Sequence, residues 1–224
     1  MRLKTLSTGA GMPPGKAHQY LVSFMRLGLI VQNQSTGQYG LGPYALQLGL
    51  AALRQVNSSE IAGKVLERLQ ARFELPTYFS IWGQRGPFIA LKPDYDLPTP
   101  FGIKAGFVFP LLTTATSNIF LAYMPEQATR ALIEKEELLH RDLLARAQDT
   151  RREIRAAGCT VSKGHLFRGF AGVSCPVFDH EGALAGAVTM LGVASVVDTG
   201  PFSNMVLAVK EAAADISGKL GFKP

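Results

Sequence analysis

The segment from residue 11 to residue 42 constrains the fold of this chain more than any other. Pro13 and Pro14 suit a helix start, because proline has no N–H to donate and its φ is already near the helical value. Leu21, Phe24 and Met25 then follow at the i, i+3, i+4 spacing of one helix face. Gly28 suits a helix stop. The first half of the segment is therefore predicted to be a single helix.

The second half of this segment has the pattern of a two-stranded hairpin. A short apolar run, 29–31, leads to a polar tip at 32–37 and a return at 38–41. A helix followed directly by such a hairpin is typical of the second half of a winged helix-turn-helix. Residues 4–8 would then form the first helix of the pair, and residues 9–12 the turn.

The distribution of charge favours nucleic-acid binding by the same region. Residues 1–59 contain five basic residues and no acidic one, whereas the remaining 165 residues carry 18 basic and 17 acidic residues. A positive patch confined to one module is the pattern expected where a protein contacts phosphates. We expect Lys16 to contact phosphate, and His18 and Gln19 to face base edges in the major groove. The full set of expected DNA contacts is Pro14, Gly15, Lys16, His18, Gln19, Arg26 and Gln38.

The rest of the chain predicts an α+β fold with a mostly antiparallel sheet. Hydrophobic residues make up 47% of the sequence, enough for a substantial core. Short β-branched or aromatic runs joined through glycine-containing turns favour antiparallel hairpins over a parallel sheet. The expected elements are strands at 77–82 and 88–91, an apolar run at 106–112, helices at 113–123 and 125–157, strands at 159–162, 172–178 and 183–191, and a closing helix at 202–220.

Three segments resemble the IclR family of bacterial transcriptional regulators. They are residues 36–43 (TGQYGLGP), residues 109–122 (FPLLTTATSNIFLA) and residues 172–179 (GVSCPVFD). The resemblance covers essentially the whole chain in the order of that family. It implies a winged helix-turn-helix over residues 1–43 whose first helix is missing, a linker helix over 44–57 and a GAF-like effector-binding domain over 58–224.

The resemblance also implies a pocket for a small organic effector, walled by the segment near residue 114 and by facing strands. Hydroxyls and free N–H groups at a helix start favour a carboxylate, and aromatic side chains supply an apolar wall. The expected pocket residues are Phe79, Phe109, Thr114, Ala115, Thr116, Ser117, Ser162, Gly172, Val173, Ser174, Thr189 and Leu191.

Catalysis is not expected. An enzyme would need an activated nucleophile, and the only candidate is Cys175 with His165 or His180. Cys175 precedes a proline within a strand, where a buried, inert cysteine is common. The histidines and the two cysteines have no metal-ligand spacing, so no metal and no cofactor are expected.

The sequence therefore predicts a cytoplasmic regulator with no membrane segment, in the form of a homodimer or homotetramer. Its expected partners are double-stranded operator DNA and a small organic effector, with a carboxylate or an aromatic body. The alternative is a stand-alone small-molecule sensor or interaction module, which would not bind DNA because its winged domain is truncated.

Overall fold

The computed structural model describes residues 1–55, 58–93, 103–137, 147–163, 166 and 168–223. The chain divides into two compact units, Met1–Asn57 (unit 1) and Ser58–Pro224 (unit 2). Several sequence-based expectations fall wholly or partly outside the described residues: the boundary at 56–59, the proline-containing loop at 92–104, the middle of the predicted helix 125–157, and His165. None of the described helices is long and apolar enough to cross a membrane.

Unit 1 has the predicted helix-turn-helix and hairpin. Its elements are α1 (Leu3–Gly9), α2 (Pro14–Arg26), β1 (Ile30–Gln32), β2 (Tyr39–Leu41) and α3 (Pro43–Gln55). Pro14 opens α2 as expected of a proline in the first turn. β1 and β2 pair antiparallel, with Val31 opposite Gly40. This confirms the winged helix-turn-helix followed by a helix.

Two glycines allow the chain to pass closely between α2, the wing and α3. Gly28 has a φ of +71°, a left-handed conformation that other residues adopt at a cost. The Gly42 amide donates to the Leu29 carbonyl at 2.8 Å, and the Tyr44 amide donates to the Gly28 carbonyl at 3.1 Å. A Cβ at Gly42 would meet the Gly28 carbonyl and lie 3.1 Å from the Ile30 nitrogen. Gly42 is therefore required by a contact between backbones.

Unit 2 is built on one five-stranded antiparallel sheet. Its elements are α4 (Ser58–Phe73), β3 (Thr77–Gly83), β4 (Gly86–Leu91), α5 (Ala115–Tyr123), α6 (Glu126–Glu137), α7 (Ala147–Ala157), β5 (Thr160–Lys163), β6 (Phe170–Phe178), β7 (Leu184–Val193) and α8 (Asn204–Lys219). The strand order is β4-β3-β7-β6-β5. The predicted α+β class is confirmed. The apolar run at 106–112 makes only a single β-bridge, between Phe88 and Val108.

The two faces of this sheet carry different helices, and strand alternation sends neighbouring residues to opposite faces. The larger core cluster lies with α4 and α8, and includes Phe79, Val173 and Val188. Ile119 and Phe120 of α5 pack with Ala187 on the opposite face. The residues that flank Phe79 and Val173 in sequence therefore point toward the α5 side, where the candidate cavity lies.

Candidate DNA-binding surface and effector cavity

The exposed face of α2 carries polar and basic side chains. Lys16, Gln19 and Arg26 are all exposed and lie three and seven residues apart, which places them on one stripe of a helix with 3.6 residues per turn. Ser23 lies on the same stripe, and its hydroxyl donates to the Gln19 carbonyl at 3.1 Å. Ser23 was missed by the sequence analysis, although the spacing would have found it. The buried face begins at Ala17.

His18 lies at the flank of this stripe, toward the wing. Its Nδ1 is 3.5 Å from the hydroxyl of Tyr39, the first residue of β2. Tyr39 is buried, and its amide donates to the Met1 carbonyl at 2.7 Å. The imidazole therefore lies between the recognition helix and the wing, and only its Nε2 is left to face a nucleic acid. Pro14 and Gly15 are exposed at the first turn of α2.

The wing tip is shaped by an asparagine side chain. The Asn33 Oδ1 accepts hydrogen bonds from the amides of Ser35 and Thr36, both at 3.0 Å. Gly37 follows with a φ of +66°. Asparagine and glycine suit such a turn, because the first bonds its own backbone and the second tolerates the left-handed region. The exposed Gln38 is presented directly after this turn.

Unit 2 contains a small cavity between its sheet and the chain that leads into α5. The cavity has a volume of about 30 Å³, and the empty space reaches about 340 Å³ with the open mouth included. A volume of this size holds a water molecule or two. The lining residues are Tyr78, Phe109, Thr113, Thr114, Ala115, Ser162, Leu166, Phe170, Gly172, Thr189 and Leu191.

The N-terminus of α5 forms the polar end of the cavity. Thr114 is the N-cap, and its side chain accepts a hydrogen bond from the Ser117 amide at 3.0 Å. The amides of Ala115 and Thr116 are in the first turn, where no helical carbonyl precedes them. The Thr113 hydroxyl is buried in the lining and has no hydrogen-bond partner among the described residues. An unpaired buried hydroxyl costs free energy, so this end of the cavity favours a polar ligand atom.

A chain of four buried hydroxyls joins Tyr78 and Thr189, which line the cavity, to Thr116 and Ser174, which lie behind the lining. The Thr189 hydroxyl donates to Ser174 at 2.9 Å and lies 2.9 Å from the Thr116 hydroxyl, which is 3.2 Å from the Tyr78 hydroxyl. Because Thr189 gives its only proton to Ser174, it accepts from Thr116, which in turn accepts from Tyr78. The Tyr78 hydroxyl proton is therefore used in the hydrogen bond to Thr116. Burial raises the pKa of Tyr78 to about 12, against the smaller opposing effect of its hydrogen bonds to Thr116 and Thr189.

Aromatic rings form the apolar wall. The ring centroids of Tyr78 and Phe109 are 5.6 Å apart and nearly parallel, and Phe107 meets Phe109 edge-on at 5.0 Å. These distances are those at which aromatic pairs attract. Leu166 and Phe170 pack against the same cluster. The cavity thus has hydroxyls and amides at one end and aromatic or aliphatic surface along its wall.

A carboxylate from α6 holds the loop that precedes α5. Both Glu136 oxygens accept backbone hydrogen bonds, from Leu111 at 2.6 Å and from Leu112 at 3.0 Å. Hydrogen bonds from backbone N–H groups to an ionised carboxylate are among the stronger ones in proteins. Glu136 lies in a charged run, residues 134–137, of the kind that usually forms a solvated helix face, and its two backbone hydrogen bonds depart from that pattern. No sequence pattern links it to residues 25 positions earlier in the chain.

The structure brings together most, but not all, of the residues expected to bind an effector. Those that line the cavity are Phe109, Thr114, Ala115, Ser162, Gly172, Thr189 and Leu191. Thr116, Ser117 and Ser174 are fully buried behind the lining. In particular, the Ser117 hydroxyl donates to the Pro110 carbonyl at 2.6 Å, so Ser117 does not face the cavity.

Phe79 and Val173, which were expected in the pocket, do not line this cavity. Both are 0% exposed within the core cluster on the α4 and α8 side of the sheet. Alternation along a strand explains this difference, because the adjacent residues Tyr78 and Gly172 line the cavity instead. Three further lining residues were also not predicted from the sequence: Thr113, Leu166 and Phe170. The period of two, counted from Gly172, would have found Phe170.

The candidate catalytic pair does not assemble within the described residues. Cys175 is 1% exposed and points into the core, whereas the side chain of His180 is 41% exposed at the turn between β6 and β7. His165 lies outside the described residues. No group of three or more metal-ligating side chains is found in the described part of the chain.

Comparisons with known proteins give one family for both units. Residues 50–218 match the family described as bacterial transcriptional regulator IclR C-terminal, and residues 1–34 match the IclR helix-turn-helix domain. The HTH-type transcriptional regulator KipR of Bacillus subtilis is 24% identical over 227 residues, 99% of this chain and 90% of the relative. The glycerol operon regulatory protein of Streptomyces griseus is 26% identical, over 98% of this chain and 88% of the relative.

Solved structures agree. Pseudomonas aeruginosa HmgR superposes with a TM-score of 0.91 at 31% identity, covering 99% of this chain and 90% of that one. The Agrobacterium tumefaciens repressor BlcR has the same fold, with a TM-score of 0.82 at 16% identity over 100% of this chain and 91% of that one. These similarities do not favour a stand-alone sensor without DNA binding. The chain belongs to the IclR family of bacterial transcriptional regulators.

Proposed function

We propose that this regulator binds operator DNA through α2 and the wing of unit 1, and that a small aromatic carboxylate bound in unit 2 controls this binding. The observation that carries the effector assignment is the buried Thr113 hydroxyl, which has no hydrogen-bond partner among the described residues, together with the first-turn amides of α5 at one end of an aromatic-walled cavity. A helix N-terminus favours an anion through its donors and its partial positive charge.

The chemistry of the cavity supports an acid over a neutral ligand. The carboxylate would accept hydrogen bonds from the Ala115 and Thr116 amides and from Thr113. Tyr78 stays a neutral phenol at physiological pH, because its pKa is about 12, and it adds no negative charge. The aromatic body would stack against Phe109. Since the cavity measures only about 30 Å³, a ring would enter by moving lining side chains apart at the open mouth.

On the DNA side, Lys16 and Arg26 would neutralise phosphates, and Gln19 would contact a base edge. His18 would contribute through Nε2, Gln38 from the wing, and Pro14 and Gly15 through close approach of the backbone. The absence of acidic residues from 1–59 leaves no carboxylate to repel the phosphate backbone. The remaining parts of the proposal are a homodimer or homotetramer that reads a symmetric site in the cytoplasm, without catalytic activity, and a linker role for residues 44–57.

A thermal-shift screen tests the effector assignment. Benzoate and phenylacetate are compared with their neutral analogues benzamide and benzyl alcohol, using wild type, Ser162→Asp and Ser195→Asp. Ser162 lines the cavity, whereas Ser195 is exposed and does not, so the two variants add the same charge at different places. A ligand at a hundredfold excess over its dissociation constant stabilises the bound form by about 2.7 kcal/mol.

We expect the acids to raise the melting temperature of wild type and of Ser195→Asp, and to have no effect on Ser162→Asp. The neutral analogues are expected to stabilise none of the three proteins. The proposal of an anionic effector fails if neutral analogues stabilise wild type as well as acids do, or if Ser162→Asp responds to the acids like wild type.

A further inference from the structure

The two cysteines of the chain are neighbours across β5 and β6. Thr160 pairs with Ser174 in antiparallel register, so one residue further along brings Cys159 opposite Cys175. Residues opposite each other in an antiparallel pair have Cα atoms about 4.5–5.5 Å apart, which lies within the range that disulfides span. Both side chains pack in the core cluster on the α4 and α8 side. Neither thiol takes part in the candidate cavity.

The two thiols differ in their access and in their electrostatic surroundings. Cys159 is half-buried, whereas Cys175 is buried. A hydrogen bond from the Cys175 thiol and the nearby Lys210 ammonium group lower the pKa of Cys159 to about 6, against an opposing effect of burial. The same hydrogen bond, together with burial, raises the pKa of Cys175. Cys159 is thus the accessible nucleophile, and Cys175 is the partner behind it.

We propose that Cys159 and Cys175 form a redox-responsive dithiol, which a peroxide oxidises to an intramolecular disulfide. The proposal stands on the strand register, the shared packing of the two sulfurs, and the lysine of α8 beside the accessible one. It concerns a modification site whose two cysteines lie outside the cavity lining and outside unit 1.

Hydrogen peroxide oxidises the two thiols to a disulfide in two steps. The Cys159 thiolate attacks one oxygen of hydrogen peroxide and the O–O bond breaks, which leaves a sulfenic acid and a hydroxide; the hydroxide takes up the proton that Cys159 gave to solvent. The Cys175 sulfur then attacks the Cys159 sulfur, the S–O bond breaks, and the thiol proton leaves with the hydroxyl as water. Two thiols lose two electrons and two protons, and one peroxide becomes two waters.

The position of the bond gives oxidation a route to the effector cavity. Cys159 lies three residues before Ser162, and Cys175 lies three residues after Gly172, and both of these residues line the cavity. A disulfide would fix β5 to β6 beside that wall. We therefore expect oxidation to change ligand binding in unit 2 while leaving α2 and the wing chemically unaltered.

The test uses the full-length, reduced protein treated with hydrogen peroxide. Remaining thiols are alkylated with N-ethylmaleimide, and the protein is analysed by intact mass and by peptide mapping. We expect both thiols of wild type to disappear together, the peptides containing Cys159 and Cys175 to be linked within one chain, and dithiothreitol to restore both. Independent loss of the two thiols, or disulfides only between chains, overturns the proposal. This experiment uses wild type alone.

Variants then assign the roles of the groups. Oxidation of Cys175→Ala should stop at the sulfenic acid on Cys159, which dimedone traps. In Cys159→Ala, the remaining Cys175 should be alkylated about tenfold or more slowly than Cys159 is in wild type. Lys210→Met should slow alkylation of Cys159 at neutral pH. Lys219→Met is the matched control on the same helix, because Lys219 pairs with Asp215 at 2.9 Å instead. Equal alkylation rates in the two lysine variants contradict the role given to Lys210.

Discussion

The two units of this chain are stabilised in different ways. Among the described side chains, unit 1 buries only two hydrophobic residues, Ala17 and Tyr39, whereas unit 2 buries whole clusters on both faces of its sheet. In unit 1, Leu41 is 83% exposed. Small modules bury a smaller fraction of their surface than large ones. Unit 1 therefore depends mainly on backbone hydrogen bonds and glycine turns, and unit 2 on its core.

The largest expected effect is on the free energy of unfolding, and it is seen when a phenylalanine is replaced by alanine in each unit. Phe79→Ala removes a fully buried ring from unit 2 and should lower its free energy of unfolding by about 3–5 kcal/mol. Phe24→Ala, at a residue that is 41% exposed in unit 1, should cost much less. Urea denaturation monitored by circular dichroism measures both. Similar losses in the two variants would contradict the comparison.

The next largest expected effect is the loss of stability of unit 2 at high pH. Tyr78 in the unfolded chain loses its proton near pH 10, whereas the folded protein retains it to about pH 12. The stabilisation is fully present below pH 10 and falls as pH rises toward 12, by about 3 kcal/mol in total. Denaturation curves for wild type and Tyr78→Phe, measured across this range, should converge. A constant difference between them would show that Tyr78 does not titrate late.

Alanine substitutions at Gly42 and at Gly40 test whether the stability of unit 1 depends on a close contact between backbones. Gly42→Ala places a methyl group against the Gly28 carbonyl and should destabilise unit 1 by about 1–3 kcal/mol, with loss of DNA binding. Gly40→Ala is the control, because a Cβ there meets nothing within 4 Å. Binding to a random-sequence duplex by fluorescence anisotropy, together with the melting transition, measures both effects. Equal behaviour of the two variants would refute the backbone argument.

The smallest expected effect is on the salt dependence of DNA binding, and it compares a charged residue of unit 1 with one of unit 2. Lys16→Ala should weaken binding to all duplex sequences alike and reduce the slope of log affinity against log salt by about 0.9. Lys64→Ala removes another exposed charge, from α4 of unit 2, and should leave the slope unchanged. Salt titrations of a random-sequence duplex measure the slope. An unaltered slope in Lys16→Ala would mean that α2 does not contact phosphate through this residue.

The sequence predicted the winged module well because its signals are local. Pro14 and Gly28 each act within a few residues of their position in the chain, whereas Gly42 is required by its contact with the Gly28 carbonyl, 14 residues earlier. The cavity was predicted less completely, because its lining depends on strand alternation and on distant partners. Phe79 was chosen where its neighbour Tyr78 lines the cavity, and Val173 was chosen in addition to Gly172, although only Gly172 lines it. The neighbouring cysteines depend on strand register, which their positions 16 residues apart do not reveal.

The Glu136 carboxylate also suggests a way to redesign the sensor. It shapes the loop that leads into α5 by holding the Leu111 and Leu112 amides, yet Glu136 is not among the residues that line the cavity. The loop that leads into α5 is therefore held by a residue outside the cavity lining. A biosensor engineer could vary Glu136 and its neighbours on α6 to admit larger aromatic acids, while every side chain that contacts the ligand is kept.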